Sequence, residues 1–161
     1  MQNIQQRISP FLWFDSQAED AANFYVAVFK NSKVNKITYY GEAGPGPKGS
    51  VMTVSFEIDG QGFVALNGGT PPEFTESISF MVNCNTQHEV DEYWRKLSAG
   101  GQEIQCGWLK DKYGVSWQVT PVALMEMIGD PDPKKSQRVM EAMLQMKKID
   151  IEKLEQAYHN Q

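Results

Sequence analysis

Ser16-Gln17-Ala18-Glu19-Asp20-Ala21-Ala22-Asn23-Phe24-Tyr25 and, further along, Thr86-Gln87-His88-Glu89-Val90-Asp91-Glu92-Tyr93-Trp94 carry one pattern twice. Each opens on a hydroxyl residue with glutamate three places on, the capping-box spacing in which side chains satisfy the orphan N–H groups of a helix start. Each then runs into an apolar stripe at helical intervals. Ala21, Ala22, Phe24, Tyr25, Val28 and Phe29 form the first stripe, and Val90, Tyr93, Trp94 and Leu97 the second. Moving the first half by 70 positions lays Ser16 on Thr86, Glu19 on Glu89, Phe24 on Trp94 and Val34 on Ile104. Cap, stripe and following strand keep step, so the spacing predicts an internal duplication.

Around these helices the sequence predicts strands. Ile8 to Phe14 is a short apolar and aromatic run with Pro10 where a ladder donor is not needed. Val34 to Tyr40 and Val51 to Ile58 alternate, Asp59-Gly60 is a hairpin signal, and Phe63 to Asn67 is the return strand. The first half is thus strand, helix and three strands. Gly41 to Gly49, with its Gly-Pro-Gly-Pro core, is a loop, expected at the rim of a site. After a linker at Gly68 to Pro72, Glu76 to Cys84 is expected as a strand with Ile78, Phe80 and Val82 on one face. Ile104 to Lys110 and Val115 to Thr120 are expected as strands around the Asp111-Lys112-Tyr113-Gly114 turn, in a second half shorter by a strand or less regular. The tail changes character: a short helix over Pro121 to Ile128, a helix capped by Asp132 before Pro133, and a last helix capped by Asp150. These three are expected to cover a sheet or a partner subunit, with Met125, Met127, Met140, Met143 and Met146 as adaptable packing.

A chain of 161 residues with a net charge of -5 is one domain's worth of polypeptide, too short for a separate cofactor domain. The acidic balance gives no electrostatic reason to bind phosphate backbones or anionic membranes, so neither nucleic acid nor membrane is expected as a partner. The opening residues, Met1 to Arg7, lack a signal-peptide pattern, and nothing approaches the roughly 20 apolar residues that span a bilayer. A cytoplasmic protein is expected, with Cys84 and Cys106 as reduced thiols.

Candidate chemistry is sparse. His88 sits in a first helical turn and His159 near the end of the chain, and neither has the neighbours of a catalytic base or a metal ligand. No catalytic residue is assigned. The prolines of the Gly44 to Gly49 stretch remove the donors that a phosphate cradle needs, and no helix follows. Polar residues in or at the ends of predicted strands are more informative, since burial there demands a partner. Asn67, Ser77, Ser79, Asn83 and Gln118 are of this kind, and Trp13, Trp108 and Trp117 add broad apolar surface with one donor each.

Pro10-Phe11-Leu12-Trp13-Phe14-Asp15, Phe24-Tyr25, Phe29-Lys30-Asn31-Ser32, the Tyr40-Gly41-Glu42 to Pro47 loop, Phe63 to Gly69 and Cys106 to Gln118 together closely resemble the PhnB-like branch of the glyoxalase, bleomycin-resistance and dioxygenase superfamily, the vicinal oxygen chelate proteins. The resemblance covers about residues 6 to 158. It implies an α+β fold of paired βαβββ modules forming an open cleft, the first at about 6–69, the second at about 74–120, with a helical extension over about 121–160. It also implies a homodimer. Family names such as 3-demethylubiquinone-9 3-methyltransferase attach to such sequences, yet a usual methyltransferase needs a Gly-rich strand-to-helix loop that this chain lacks.

Metal enzymes of the superfamily place His, Glu, His and Glu at positions matched here by Ile8, Leu66 or Asn67, Ser77 and Gln118. That set does not suit a divalent ion, so no metal and no cofactor is expected. Glu76 is expected to point away from Ser77 by strand alternation. The resulting expectation is a metal-independent small-molecule binding or sequestration protein of unidentified ligand, with Trp13, Asn67, Ser77, Trp108, Trp117 and Gln118 lining the site. Lys110 and Lys112 would oppose a cationic ligand if they point inward. The alternative is a small-metabolite enzyme of glyoxalase, isomerase or dioxygenase type, and a third reading is an interaction protein whose cleft is filled by its own aromatics.

Overall fold

The computed structural model describes residues 6–160, so the opening stretch over residues 1–5 that was read for a leader lies outside the described residues, as does Gln161. The chain divides into two compact units, residues 1–73 and 74–161. The first contains β1 (Phe11–Phe14), α1 (Ala18–Val28), β2 (Lys33–Tyr39), β3 (Val51–Ile58) and β4 (Gln61–Asn67). The second contains β5 (Phe80–Cys84), α2 (Gln87–Ser98), β6 (Gln102–Glu103), β7 (Trp108–Lys110) and β8 (Ser116–Pro121), followed by α3 (Val122–Ile128), α4 (Pro133–Leu144) and α5 (Ile151–His159). Each unit holds one four-stranded sheet, ordered β1-β4-β3-β2 and β5-β8-β7-β6. The first strand of each pairs in parallel with the last, and the other pairings are antiparallel. The same connectivity twice, on sequences matched in cap and stripe, is the predicted duplication.

In the first unit α1 buries Ala18, Ala21, Ala22, Tyr25 and Val28, and Val54, Phe56, Ile58, Phe63 and Ala65 alternate onto the buried face of β3 and β4. The small residues on α1 let the helix lie close to the sheet, and the Phe56 ring packs between those of Tyr25 and Phe63 at centroid distances of 6.1 and 5.5 Å. In the second unit α2 buries Val90, Trp94 and Leu97. On the buried sheet face Val82 pairs with Val119, and Phe80 with Trp117, which in turn pairs with Leu109.

Several expectations need correcting. The Ser16–Glu19 capping box does not form; α1 starts at Ala18, whose N–H is taken at 2.8 Å by Oδ1 of Asn67 from the end of β4. The Thr86 box does cap its helix, Thr86 Oγ1 accepting from the Glu89 N–H at 3.2 Å. The strand expected over Glu76 to Cys84 begins only at Phe80, because its ladder partner β8 first meets it there, at Trp117. Residues 76–78 are a turn, and Ile78 is exposed. The strand expected from Ile104 is interrupted, since Cys106 and Gly107 both adopt left-handed φ, +61° and +82°. Their N–H groups turn away from the sheet to the carbonyls of Met146 and Lys147, at 2.8 and 2.7 Å. The loop over Gly41 to Gly49 folds against the buried Tyr40 ring, and its neck is closed by Tyr40 N–H to Ser50 O at 2.9 Å and Gly49 N–H to Tyr40 O at 2.8 Å.

The three tail helices bury one another. Asp132 and Asp150 cap α4 and α5, accepting from Lys134 N–H at 2.9 Å and Lys153 N–H at 3.2 Å. Leu124, Val139, Ile149 and Leu154 form a buried cluster against which Met127, Met143 and Met146 pack, while Met125 and Met140 are exposed. Gln87 ties this cluster to α2, donating from Nε2 to Ile149 O at 3.0 Å and accepting on Oε1 from Ile151 N–H at 2.8 Å.

Gly107 marks the tightest joint of this extension. A Cβ there would stand 2.8 Å from Val119 O and 3.1 Å from Ile149 Cγ1, at φ +82°. Gly107→Ala is expected to cost about 2–4 kcal/mol in urea unfolding. Gly69→Ala, also at positive φ but with nothing within 4 Å, should cost only about 1 kcal/mol. Equal midpoints for the two variants would contradict the joint.

Cys84 is fully buried, and burial, with a smaller push from the Glu89 carboxylate, drives its thiol from 9.0 up to about 12. Between pH 9 and about 12 the unfolded chain therefore binds fewer protons than the folded one, and stability falls as pH rises through that window. Comparison of alkaline stability curves should show a shallower fall for Cys84→Ala than for the unchanged protein; parallel slopes would contradict the burial argument.

Candidate functional site

The β7–β8 turn is built around one carboxylate. Asp111 is 3% exposed. Its Oδ1 accepts from the N–H groups of Tyr113 at 2.9 Å and Val115 at 3.1 Å, and its Oδ2 accepts from Trp117 Nε1 at 2.8 Å. The Asp111 N–H in turn reaches Val115 O at 2.9 Å, and Gly114, at φ +89°, closes the turn by donating to Asp111 O at 2.9 Å. These bonds hold Trp117 on the helix-facing side of β8, where it packs on Phe80 with ring centroids 5.3 Å apart.

Strand alternation then fixes the other side. Ser116, Gln118 and Thr120 lie on the face opposite Trp117 and Val119. Register places Gln118 between Met81 of β5 and Trp108 of β7, Ser116 beside Lys110, and Thr120 beside Asn83. Gln118 Nε2 donates to Ser79 Oγ at 2.9 Å, which leaves the Gln118 carbonyl as an acceptor and the Ser79 hydroxyl proton as a donor. Trp108 adds a half-buried indole. Lys110 Nζ pairs with Glu76 Oε1 at 2.6 Å, and this lysine holds the Glu76 carboxyl below the usual carboxylate range. The face thus combines an amide, hydroxyls, an aromatic surface and one ion pair, a composition suited to gripping a small molecule by hydrogen bonds and stacking.

The first sheet's open face is more apolar. Thr38, Thr53, Leu66 and Trp13 form one cross-sheet row, with Lys36, Ser55, Val64 and Phe11 beside it. Phe11 and Trp13 are exposed, and Trp13 Nε1 donates to Gly69 O at 3.2 Å.

The six residues expected to line a site therefore separate. Trp108 and Gln118 stand together on the open face of the second sheet. Trp117, one residue away, belongs to the core. Ser77 lies on the exposed turn before β5. Trp13 is on the open face of the first sheet, whereas Asn67 points to the helix side, its Oδ1 accepting from Ala18 N–H and its Nδ2 donating to Val51 O at 3.2 Å, while its backbone carbonyl accepts from the Tyr40 hydroxyl. Sequence reading missed Ser116 on this face, named Lys110 only as an obstacle to a cationic ligand, and expected Glu76 to point away, whereas Ser116 lies opposite Lys110 and Glu76 pairs with it. The signal was present in the Lys110-Asp111 to Ser116 spacing, because a tight turn at Asp111 to Gly114 brings residues 110 and 116 opposite each other.

A duplicated βαβββ unit with these pairings is the fold of the vicinal oxygen chelate superfamily, to which glyoxalases, bleomycin-resistance proteins and dioxygenases give their names. The chain belongs to the family described as 3-demethylubiquinone-9 3-methyltransferase, which it matches over residues 6–120. The PhnB protein from Bacillus cereus, of this same description, is 37% identical, covering 73% of this chain and 100% of that one at a TM-score of 0.66. A protein from Pseudomonas aeruginosa, 20% identical over 73% of this chain and 98% of its own at TM-score 0.61, shares the fold. So does the fosfomycin resistance protein FosX from Listeria monocytogenes, 17% identical over 77% and 97% at TM-score 0.54. No curated protein matches the chain.

The positions that the resemblance matches to metal ligands do not fit a divalent ion. Ile8 carries no donor atom, Ser77 is an exposed hydroxyl, Asn67 is committed to the α1 start, and Gln118 is a neutral amide bonded to Ser79. Among the described residues no three His, Cys, Asp or Glu side chains converge on a point that an ion could share.

Removing the Asp111 carboxylate tests its role directly. Asp111→Ala leaves a buried indole N–H and two turn amides without their acceptor, which is expected to cost about 3–5 kcal/mol in chemical unfolding. Asn67→Ala, which removes the α1 cap and one bond to the Val51 carbonyl, is expected to cost about 1–2 kcal/mol. A loss at Asp111 no greater than that at Asn67 would contradict the turn's place in the structure.

Proposed function

We propose that the protein binds or sequesters a small molecule without a metal, on the open face of the second sheet. One observation carries the reading: Trp108 and Gln118 stand side by side in the ladder, and the Gln118 amide is bonded to the Ser79 hydroxyl, so the polar groups beside the indole are neutral rather than metal-binding. An indole and an amide with a spare acceptor orient a ligand but supply no general base, and therefore support retention rather than turnover. Methyl transfer is not part of the proposal despite the family's description. The usual methyltransferase holds its nucleotide on a glycine-rich strand-to-helix turn, and the connections here, Asp15-Ser16-Gln17 and Asn85-Thr86, contain no glycine.

The functional form proposed is a cytoplasmic homodimer. Two free cysteines suit a reducing compartment, and Phe11, Trp13 and Tyr39 leave large apolar side chains exposed on the first unit, the kind of surface that a second copy covers. Among the described residues no helix is long and apolar enough to cross a membrane.

Isothermal titration against a panel of small metabolites and antibiotics, run in the presence of a chelator, tests the reading. Saturable binding that survives the chelator and weakens about tenfold in Gln118→Ala is expected. Absence of saturable binding, or binding that the chelator abolishes, would overturn it.

A further inference from the structure

The open face of the second sheet holds one charged pair and, next to it, one unmet donor. Lys110 and Ser116 face each other in the ladder at the turn end of β7 and β8. Ser116 is 1% exposed, and its Oγ has no hydrogen-bond partner among the described residues. A buried hydroxyl without a partner forfeits the hydrogen bonds it made to water, and native structures rarely leave one so unless something else completes it. Lys110 already has a carboxylate, that of Glu76 at 2.6 Å, but this carboxylate comes from the exposed turn 76–78 and leaves Ser116 unmet.

We infer that Lys110 and Ser116 form a carboxylate subsite on the proposed binding face, that Glu76 occupies its lysine half as a tethered stand-in, and that the ligand is a small molecule bearing a carboxylate. The inference rests on the binding role proposed for that face. A carboxylate has two oxygens. One can take the charge-assisted bond from Lys110 and the other the Ser116 hydroxyl, a combination that the Glu76 side chain does not make. Displacing Glu76 costs little, because the side chains of the pair are 29% and 53% exposed and so exchange a solvated contact for water. Competition is between two carboxylates for one cation and leaves the net charge of the site unchanged when Glu76 swings into solvent. The rest of the ligand then lies along the row of Gln118, Ser79 and Trp108, where a ring stacks on indole and a polar group meets the amide. A cationic ligand would meet Lys110 directly and is disfavoured there.

Benzoate and benzamide are matched probes, alike in ring and outline and different in charge. Titration of the full-length protein should give benzoate about fivefold tighter than benzamide. Glu76→Gln should tighten benzoate about a further fivefold while leaving benzamide unchanged, and Lys110→Gln should bring the two probes to equal affinity. Ser116→Ala should weaken benzoate more than benzamide. Thermal midpoints matching the unchanged protein verify that the exposed-turn variant Glu76→Gln is folded, and the benzoate–benzamide comparison in the unchanged protein stands without any variant. Benzamide binding with no preference for benzoate, unmoved by Glu76→Gln and Lys110→Gln, would overturn the subsite and leave the binding face intact. Binding of neither probe to any form would overturn the subsite together with the proposed face.

Discussion

The buried carboxylate of Asp111 is the interaction on which the second sheet depends. It takes two turn amides and the Trp117 indole, so the phase of β8 is set at its first residues. Side chains on a strand alternate, and a slip of one position would exchange the faces wholesale. With Trp117 held inward by a bond to Asp111, Ser116 and Gln118 have no freedom to be anywhere but on the open face. A carboxyl group removed from water is tolerable here because the three donors that meet it come from within six residues, which keeps the entropy cost of assembling the site low.

The two halves share a connectivity but have diverged in how each is finished. In the first, the helix start is capped from across the sheet by Asn67, and the open face is dominated by Phe11, Trp13, Val64 and Leu66. In the second, the helix is capped locally by Thr86, and the open face carries Lys110, Ser116, Gln118 and Asn83. Only the second also bears an extension, anchored by Gln87 and by the left-handed pair Cys106-Gly107. A duplication that keeps the scaffold while one face turns apolar and the other polar gives the halves different surfaces to offer. The polar face carries an amide, hydroxyls and an ion pair, and the apolar face leaves Phe11 and Trp13 exposed.

Sequence patterns made the scaffold legible wherever the signal was local. The hairpin at Asp59-Gly60, the caps at Thr86, Asp132 and Asp150, and the alternation of Val51 to Ile58 all rest on neighbours a few residues apart, and the structure shows each of them. What was not legible depended on distant partners. Ser16 and Glu19 have the spacing of a cap, but Asn67 reaches the Ala18 N–H, a contact that no local window contains. Residues 76–79 alternate like a strand, yet β8 offers them no ladder partner. Trp117 and Asn67 looked like lining residues because polar and aromatic groups in strands are ambiguous as to face; Asp111 and the α1 start decide that ambiguity in favour of the interior. Trp108 and Gln118 were singled out on the same grounds, and there the register puts both on the open side.

The proposed binding role requires that a ligand reach Trp108 beside Gln118 and leave Trp117, one position away, untouched. The indole N–H signals of the four tryptophans in a nitrogen–proton correlation spectrum distinguish these positions within one sample. On titration with benzoate in the presence of a chelator, the Trp108 signal should move progressively to saturation. Those of Trp117 and Trp94, held by Asp111 and Glu103, should stay in place. Movement of the Trp117 signal with that of Trp108 unmoved, or no movement of any indole signal, would contradict the account.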